Sequence, residues 1–290
     1  MVRQHNSKWA PLMNEASPPV IDGEAAAGLL APLTDLVVAA GNAILAVNRS
    51  FMRVDGKTDG SPVTEADLAA DRIIADGLAR LAPHIPSLSE ERARKARLPY
   101  KDSFFLVDPL DGTKEFVAGR DEFTVNLALV THGTPLLGIV AAPALGLIWR
   151  GIVGRSAERL TLGSKSPDGA RRVEPVRTRP CPPPGTPWTV AVSRSHGDAR
   201  TEAFIAGRPG AVRFELGSAV KFGRVAEGLV DIYPRLSPTC EWDVGAGHAV
   251  VTAAGGRITD TKGQALQFGA GSRADFIIPE FIAWGDPKAV

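Results

Sequence analysis

Cysteine is scarce in this chain of 290 residues, and its scarcity excludes two kinds of protein. The two cysteines, Cys181 and Cys240, form no C-x-x-C pair, and the five histidines are scattered. Structural zinc sites need four cysteine or histidine ligands at short spacings, and small secreted scaffolds need several cysteine pairs. We therefore expect neither a structural zinc site nor a disulfide framework.

An excess of basic charge is also missing. The chain has 33 Lys plus Arg against 32 Asp plus Glu, a net charge of +1, and only 6% aromatic residues. Proteins that hold nucleic acid neutralise many phosphates, and those that bind single strands add aromatic platforms. The balanced charge argues against a nucleic-acid partner. It still allows a small anionic substrate, because bound metal ions can supply local positive charge.

No long apolar run is uninterrupted. The most apolar stretch, 25–47, contains Pro32, Asp35 and Asn42, and an aspartate in mid-membrane costs roughly 2.5–3.5 kcal/mol. Helical spacing of its leucines favours a core helix over a transmembrane span. Residues 1–23 have no apolar core, so we expect a flexible tail and not a signal peptide. The expected compartment is the cytoplasm, with peripheral association with the inner membrane left open.

The hydrophobic patterns predict two parts. Residues 24–163 read as an α+β part, with helices followed by antiparallel strands, and residues 188–290 alternate strands and helices as a smaller α/β part. The stretch 164–187 is rich in proline and arginine, and we expect a solvated linker there. The sequence therefore indicates an α/β (α+β) protein of two domains.

The chemistry centres on the hexapeptide DPLDGT, in which Asp108 and Asp111 follow a short buried strand. Both carboxylates can point at one locus, and the Leu110 carbonyl can join them, which is a ligand set that Mg²⁺ prefers. Two such ions about 3.5–4 Å apart clamp an in-line phosphoryl displacement. The amides of Gly112 and Thr113 would open a helix and bind an anion. On its own, however, the hexapeptide is equally compatible with an ordinary turn.

Three further acidic segments accompany this motif. Asp67 in SPVTEAD stands three residues after Thr64, where a capping box is the simpler interpretation. Glu90 in LSEE is otherwise an exposed acidic residue, and Asp243 in EWD is otherwise a partner of a helix dipole. Each segment alone has an ordinary structural interpretation, whereas the four segments in combination favour a functional site.

Together the segments resemble the inositol monophosphatase superfamily of Mg²⁺-dependent, lithium-sensitive phosphatases, and within it the CysQ-type 3'(2'),5'-bisphosphate nucleotidases. The likeness spans about residues 30–280 and is carried by KxDxSPVTEAD (57–67), LSEE (88–91), LVDPLDGTKEF (106–116), EFTVNLAL (122–129), SRSH (193–196), GSAVKF (217–222), AEGLVDIYPR (226–235) and EWDVGAGHAV (241–250). It implies a layered αβαβα sugar-phosphatase fold with the site in the cleft between the two parts. The proline-rich linker and the first 25 residues depart from the family pattern.

The resemblance also implies roles for individual residues. The implied ligands are Glu90, Asp108 and the Leu110 carbonyl for a first Mg²⁺, and Asp108, Asp111 and Asp243 for a second, with a third ion left open. Thr113 paired with Asp67 would act with Glu90 to position and deprotonate the attacking water. Lithium is expected to inhibit.

On the nucleotide side, the resemblance implies contacts from His196, Ser218, Lys221 and Arg235. Cationic side chains suit a second phosphate, which a plain inositol phosphate lacks. The full implied substrate set is Glu90, Leu110, Asp111, Gly112, Thr113, His196, Ser218, Lys221, Arg235 and Asp243. For Lys221 and Arg235 the alternative is an exposed charge without a role.

The expected reaction is hydrolysis of 3'-phosphoadenosine 5'-phosphate (PAP) to AMP and phosphate in sulfate assimilation. Acceptance of the sulfated analogue PAPS and the oligomeric state remain open. An enzyme of the same fold that acts on inositol monophosphate or fructose 1,6-bisphosphate is the nearest alternative. A non-catalytic regulator would have lost Asp67, Glu90 or Thr113, and all three are present.

Overall fold

The computed structural model describes residues 20–49, 54–56, 62–95, 102–163, 171–195, 197–269 and 276–289. Within these ranges the helices are α1 (Gly23–Ala46), α2 (Glu65–Leu81), α3 (Thr113–Val117), α4 (Ala199–Ala206), α5 (Val220–Ala226) and α6 (Glu241–Ala253). The strands are β1 (Val54–Gly56), β2 (Pro62–Thr64), β3 (Ser87–Ser89), β4 (Ser103–Asp111), β5 (Thr124–Thr131), β6 (Thr134–Ala142), β7 (Leu147–Ile152), β8 (Ala157–Leu162), β9 (Arg171–Val176), β10 (Thr189–Ser193), β11 (Val212–Leu216), β12 (Ile232–Arg235), β13 (Thr239–Cys240), β14 (Arg257–Thr259), β15 (Ile277–Ile278) and β16 (Phe281–Trp284).

Two large sheets organise the described residues. The first has the strand order β3-β4-β5-β6-β7-β8-β9, and every neighbouring pair is antiparallel except β3 and β4. The second has the order β11-β10-β12-β16-β14, with β10 parallel to β11 and β12. The predicted run of antiparallel strands and the later α/β alternation are both confirmed.

Strand β4 shows how the seven-stranded sheet is covered on both faces. Successive side chains of a strand point to opposite faces, so Phe105 and Val107 join one core cluster while Phe104 and Leu106 join another. The first cluster includes the buried faces of α1 and α2, and the second includes α5 and α6. The sheet therefore has helices on each side.

Helix α6 lies between the two sheets because its small residues allow close approach. A Cβ added at Gly247 would meet the Phe222 ring at 2.3 Å, and one at Gly245 would meet Leu106 at 2.8 Å. On the far face of the second sheet, Ile205 of α4 packs against Val190 and other sheet residues. The resulting order, helices, sheet, helices, sheet, helix, is the expected αβαβα layering.

The linker prediction is wrong over one stretch. Residues 171–176, inside the expected linker 164–187, form β9 and pair antiparallel with β8 at the edge of the seven-stranded sheet. Pro175 is compatible with this position, since an edge strand tolerates proline. Glu174 accepts a hydrogen bond from Arg159 on the neighbouring strand. Residues 164–170 lie outside the described residues, as do 1–19 of the expected tail, and the remaining domain boundaries stay a prediction.

Helix α1 is the one described helix that is long and apolar enough to cross a membrane. It begins after Asp22, whose carboxylate accepts hydrogen bonds from the amides of Glu24 and Ala25. Leu33, Val37 and six further residues of the helix are buried against the protein. This burial fits the core helix that the sequence predicts.

Candidate active site

The residues of the sequence motifs converge on one cavity of about 210 Å³ between the two sheets. It is bounded by the end of β4, the start of α6 and the turn before α5. The residues of the predicted site that line it are Glu90, Asp108, Leu110, Asp111, Gly112, Thr113, Ser218, Lys221, Arg235 and Asp243. Asp67 lies behind Thr113, and His196 lies outside the described residues.

Three aspartates form the acidic group of this cavity. Asp108, Asp111 and Asp243 each place one carboxylate oxygen within 4.8 Å of the others. The strand register of β4 shifts between Asp108 and Asp111, and this irregularity lets both side chains of one strand serve the same locus. Glu90 lines the same cavity but lies outside this group of three.

The donor set fits a hard divalent cation. Asp108 is only 1% exposed, and burial together with the charge of Asp111 raises the pKa of Asp243 to about 6. Carboxylates held this close in a poorly solvated place repel one another, and a cation among them would remove that repulsion. Oxygen ligands of this kind are those that Mg²⁺ and Ca²⁺ take.

Asp243 is held by its own helix as well as by the cavity. Its Oδ2 accepts hydrogen bonds from the Thr239 hydroxyl and, at 3.3 Å, from the Cys240 amide, closing a capping box at the start of α6. Asp243 therefore does stabilise the start of its helix, which is one of the two interpretations that the sequence allows. The capping box also fixes the direction in which the carboxylate points.

Thr113 and Asp67 lie together as the resemblance implies. The Thr113 hydroxyl is 3.0 Å from Asp67 Oδ1 and 3.2 Å from the Leu110 carbonyl oxygen. Asp67 Oδ2 accepts from the Thr64 amide at 2.7 Å and from the Thr64 hydroxyl at 2.6 Å. One buried carboxylate thus forms the capping box of α2 and also contacts Thr113 of the DGT motif, while the catalytic role of the pair stays a prediction.

Gly112 permits the sharp turn between β4 and α3. Its φ of +89° lies in the left-handed region, which favours glycine. A Cβ there would also lie 3.3 Å from the Ser218 Cβ. The turn brings the two loops of the cavity into direct contact.

The part of the cavity that is predicted to meet the nucleotide contains two cationic side chains in different surroundings. Lys221 is 2% exposed, and its Nζ donates to the carbonyl oxygens of Ser218 at 2.5 Å and Leu216 at 3.2 Å. Burial lowers the pKa of Lys221 to about 8, against the opposing charge of Asp111. Arg235 donates to the Pro238 carbonyl at 3.3 Å, while its buried Nε has no partner among the described residues.

Sequence reasoning missed an aromatic wall of the cavity. Tyr233, Phe222 and Phe281 line it, with ring centroids between 5.1 and 5.4 Å apart. Burial raises the pKa of Tyr233 to about 12. A signal existed, because Tyr233 stands two residues before Arg235 on β12, and alternate residues share one face of a strand. Other lining residues that were not predicted are Lys114, Glu115, Ser193, Ala219, Thr239 and Val244.

The fold and the acidic cavity agree with a comparison against known families. The chain belongs to the inositol monophosphatase family, whose profile matches residues 27–280. Divalent metal use is implied for this family, and Asp108, Asp111 and Asp243 form a group that could hold such an ion.

The chain is similar in sequence and in structure to individual members of this family. The 3'(2'),5'-bisphosphate nucleotidase CysQ of Shigella flexneri is 41% identical over 245 residues, which cover 83% of this chain and 94% of the relative. The crystal structure of CysQ from Bacteroides thetaiotaomicron superposes with a TM-score of 0.70 at 30% identity, over 88% of this chain and 96% of that one. A Thermotoga maritima IMPase gives 0.67 at 25% identity, over 88% and 91%.

Proposed function

We propose that the chain is a 3'(2'),5'-bisphosphate nucleotidase that hydrolyses PAP to AMP and inorganic phosphate. The observation that carries the proposal is one cavity with three grouped aspartates and, among its other lining residues, Lys221 and Arg235. A metal-binding group for one phosphate and cationic side chains for a second suit a substrate with two phosphates. The identity to CysQ over most of both chains supports the same substrate class.

Mg²⁺ is the ion proposed for the acidic group. Asp108, Asp111 and Asp243 would hold it, with Glu90 and the Leu110 carbonyl completing a site for two or three ions. When bound, Mg²⁺ lowers the pKa of water and neutralises charge on phosphate oxygens. Li⁺ is expected to inhibit by competing for the same oxygens.

The protein's own residues would orient the attacking water. Asp67 is fixed through Oδ2 by Thr64, so its Oδ1 is presented to the Thr113 hydroxyl. The Thr113 hydroxyl donates its hydrogen to Asp67. The lone pairs of Thr113 Oγ1 can therefore accept a hydrogen bond from the attacking water. Glu90 lines the same cavity and would receive the proton.

The second phosphate would be held at the cationic end of the cavity. Lys221 and Arg235 line the cavity and would neutralise that phosphate, and the centroid of the Tyr233 ring lies 5.2 Å from Lys221 Nζ. His196 stays a predicted contact. PAPS carries the same two phosphate positions and remains a candidate substrate, and we propose a cytoplasmic location.

A substrate panel tests this proposal. Phosphate release from PAP, inositol 1-phosphate and fructose 1,6-bisphosphate is measured with Mg²⁺ and with a chelator, for the wild type and for Arg235→Met. Loss of a charge-assisted contact worth about 1.5–3 kcal/mol should raise the KM for PAP about 10- to 100-fold, and the KM for inositol 1-phosphate much less. Arg257→Met, at an exposed arginine outside this cavity, serves as the matched control. Hydrolysis of inositol 1-phosphate without hydrolysis of PAP would refute the assignment.

A further inference from the structure

We propose that Ser218 is a positioning residue for the metal-binding carboxylate of Asp111. The sequence resemblance implies only a substrate contact for this serine. The inference rests on the proposed function in one respect, namely that Asp111 holds a divalent cation.

The hydroxyl of Ser218 forms its hydrogen bond with Asp111. Ser218 Oγ lies 2.5 Å from Asp111 Oδ2 and 3.0 Å from the Asp111 carbonyl oxygen. An ionised carboxylate only accepts hydrogen bonds, so the serine donates its one hydroxyl hydrogen to Asp111. The Thr124 hydroxyl lies 2.6 Å from Ser218 Oγ and 3.4 Å from Asp111 Oδ2, so it donates to the serine oxygen as the nearer acceptor. The chain of donors therefore runs from Thr124 to Ser218 to Asp111.

The backbone at Ser218 is in a conformation that serine rarely adopts. Its φ is +50°, in the left-handed region where glycine is preferred. Backbone strain of this kind persists where the surrounding structure holds it, and it is concentrated at functional sites. A glycine would fit the turn without strain but would leave Asp111 Oδ2 without this donor.

Neighbouring contacts hold the turn in place. The Gly217 amide donates to Glu122 Oε2 at 2.9 Å, and a Cβ at Gly217 would lie 2.5 Å from the Glu122 carbonyl oxygen. On the other side, Lys221 Nζ donates to the Ser218 carbonyl at 2.5 Å. Ser218 thus lies between the acidic group and the cation expected to meet the second phosphate.

The consequence concerns metal affinity. Donors to one oxygen of a ligating carboxylate restrict its rotation and orient its other oxygen toward the ion, and loss of such outer partners typically lowers metal affinity about 10- to 100-fold. Ser218 and Thr124 would act on the ion in this way without touching it.

The test measures Mn²⁺ binding by titration calorimetry without substrate, together with thermal unfolding without metal. Ser218→Gly should weaken Mn²⁺ binding about tenfold with an unchanged or higher Tm, because the substitution removes the hydroxyl and relieves the backbone strain. Thr124→Val should weaken it less, since Asp111 keeps the serine. The control Ser195→Ala removes a hydroxyl that contacts Glu115 and no member of the acidic group, and should leave binding unchanged.

Wild-type affinity for Mn²⁺ in Ser218→Gly would overturn the inference, as would an equal loss in Ser195→Ala. The wild type is assayed on PAP in parallel. Serine-dependent Mn²⁺ binding in a protein that leaves PAP intact would support this inference and contradict the proposed substrate.

Discussion

The Thr113 hydroxyl donates to Asp67 Oδ1 across 3.0 Å, although the two residues are 46 positions apart in the chain. The same carboxylate closes the capping box of α2 through Thr64. The helix terminus thereby fixes the acceptor of the Thr113 hydroxyl, and Thr113 lines the same cavity as the acidic group. This arrangement is the basis of the first prediction.

Asp67→Asn should lower kcat on PAP by about 100-fold or more, because the hydroxyl of Thr113 loses its charged acceptor. It should also cost about 1 kcal/mol of unfolding free energy through the weakened helix cap. Thr113→Ser keeps the hydroxyl and should stay close to wild type, whereas Thr113→Val should match Asp67→Asn in kcat. Steady-state kinetics and urea unfolding separate the two effects. Equal kcat in the serine and valine variants would contradict the pairing.

Glu122 ties the two loops of the cavity together. Its carboxylate accepts from Arg194 at 2.9 Å and from the Gly217 amide at 2.9 Å. Glu122→Ala should raise the KM for PAP about tenfold, since the Gly217 turn loses a charged acceptor. Arg194→Met, which spares that acceptor, should raise it less.

The control for this pair is Glu202→Ala, which removes the exposed ion pair with Arg213. Exposed ion pairs contribute little, so its KM and Tm should stay at wild-type values. An identical KM in Glu122→Ala and Arg194→Met would show that the contact with Gly217 has no part in substrate binding.

Lys221 should make nucleotide binding dependent on pH. Its pKa, lowered by burial to about 8, means that the cation is present below about pH 8 and is lost as pH rises through that value. The KM for PAP should therefore increase between about pH 7 and pH 9.5. The phosphate monoester is already mostly dianionic in this range, because its second pKa is about 6. Lys221→Met should have a high KM that no longer changes with pH, and a wild-type rise retained in that variant would exclude Lys221 as the cause.

His248 should limit stability in mild acid. The ring is 7% exposed, its Nδ1 has no partner in the described part of the chain, and burial lowers the pKa to about 4. The unfolded chain binds a proton near pH 6.5, so stability is complete above that pH and falls as pH drops toward 4. The loss should approach roughly 3 kcal/mol at about 1.4 kcal/mol per pH unit. His248→Phe should flatten this part of the urea-unfolding profile, and an unchanged slope would count against a buried neutral histidine.

The sequence predicted local features well where one periodicity or one motif decides them. Thr64 caps α2 as expected, and the strand after Ser103 ends in the paired carboxylates of Asp108 and Asp111. The sequence does not predict helix α4, and it indicates a linker in place of β9, because arginines and proline are typical of solvated segments. An edge strand has the same composition, since one side of it faces water.

Contacts between residues that are far apart in the chain could not be predicted from the sequence. Lys221 reads equally well as an exposed charge, and only the carbonyl groups of Leu216 and Ser218 explain its burial. Likewise, no spacing rule indicates that Ser218 donates to Asp111, 107 positions away. Motif recognition named these residues, and the structure supplies what each of them contacts.

The most direct test of the central claim is phosphate release from PAP by wild type and Asp108→Asn, each with Mg²⁺ and with a chelator, with folding checked by circular dichroism. Asp108 belongs to the acidic group and is buried, so the account predicts Mg²⁺-dependent release by the wild type. It predicts none above background from a folded variant. Release from the variant at the wild-type rate, or release that ignores the chelator, would contradict it.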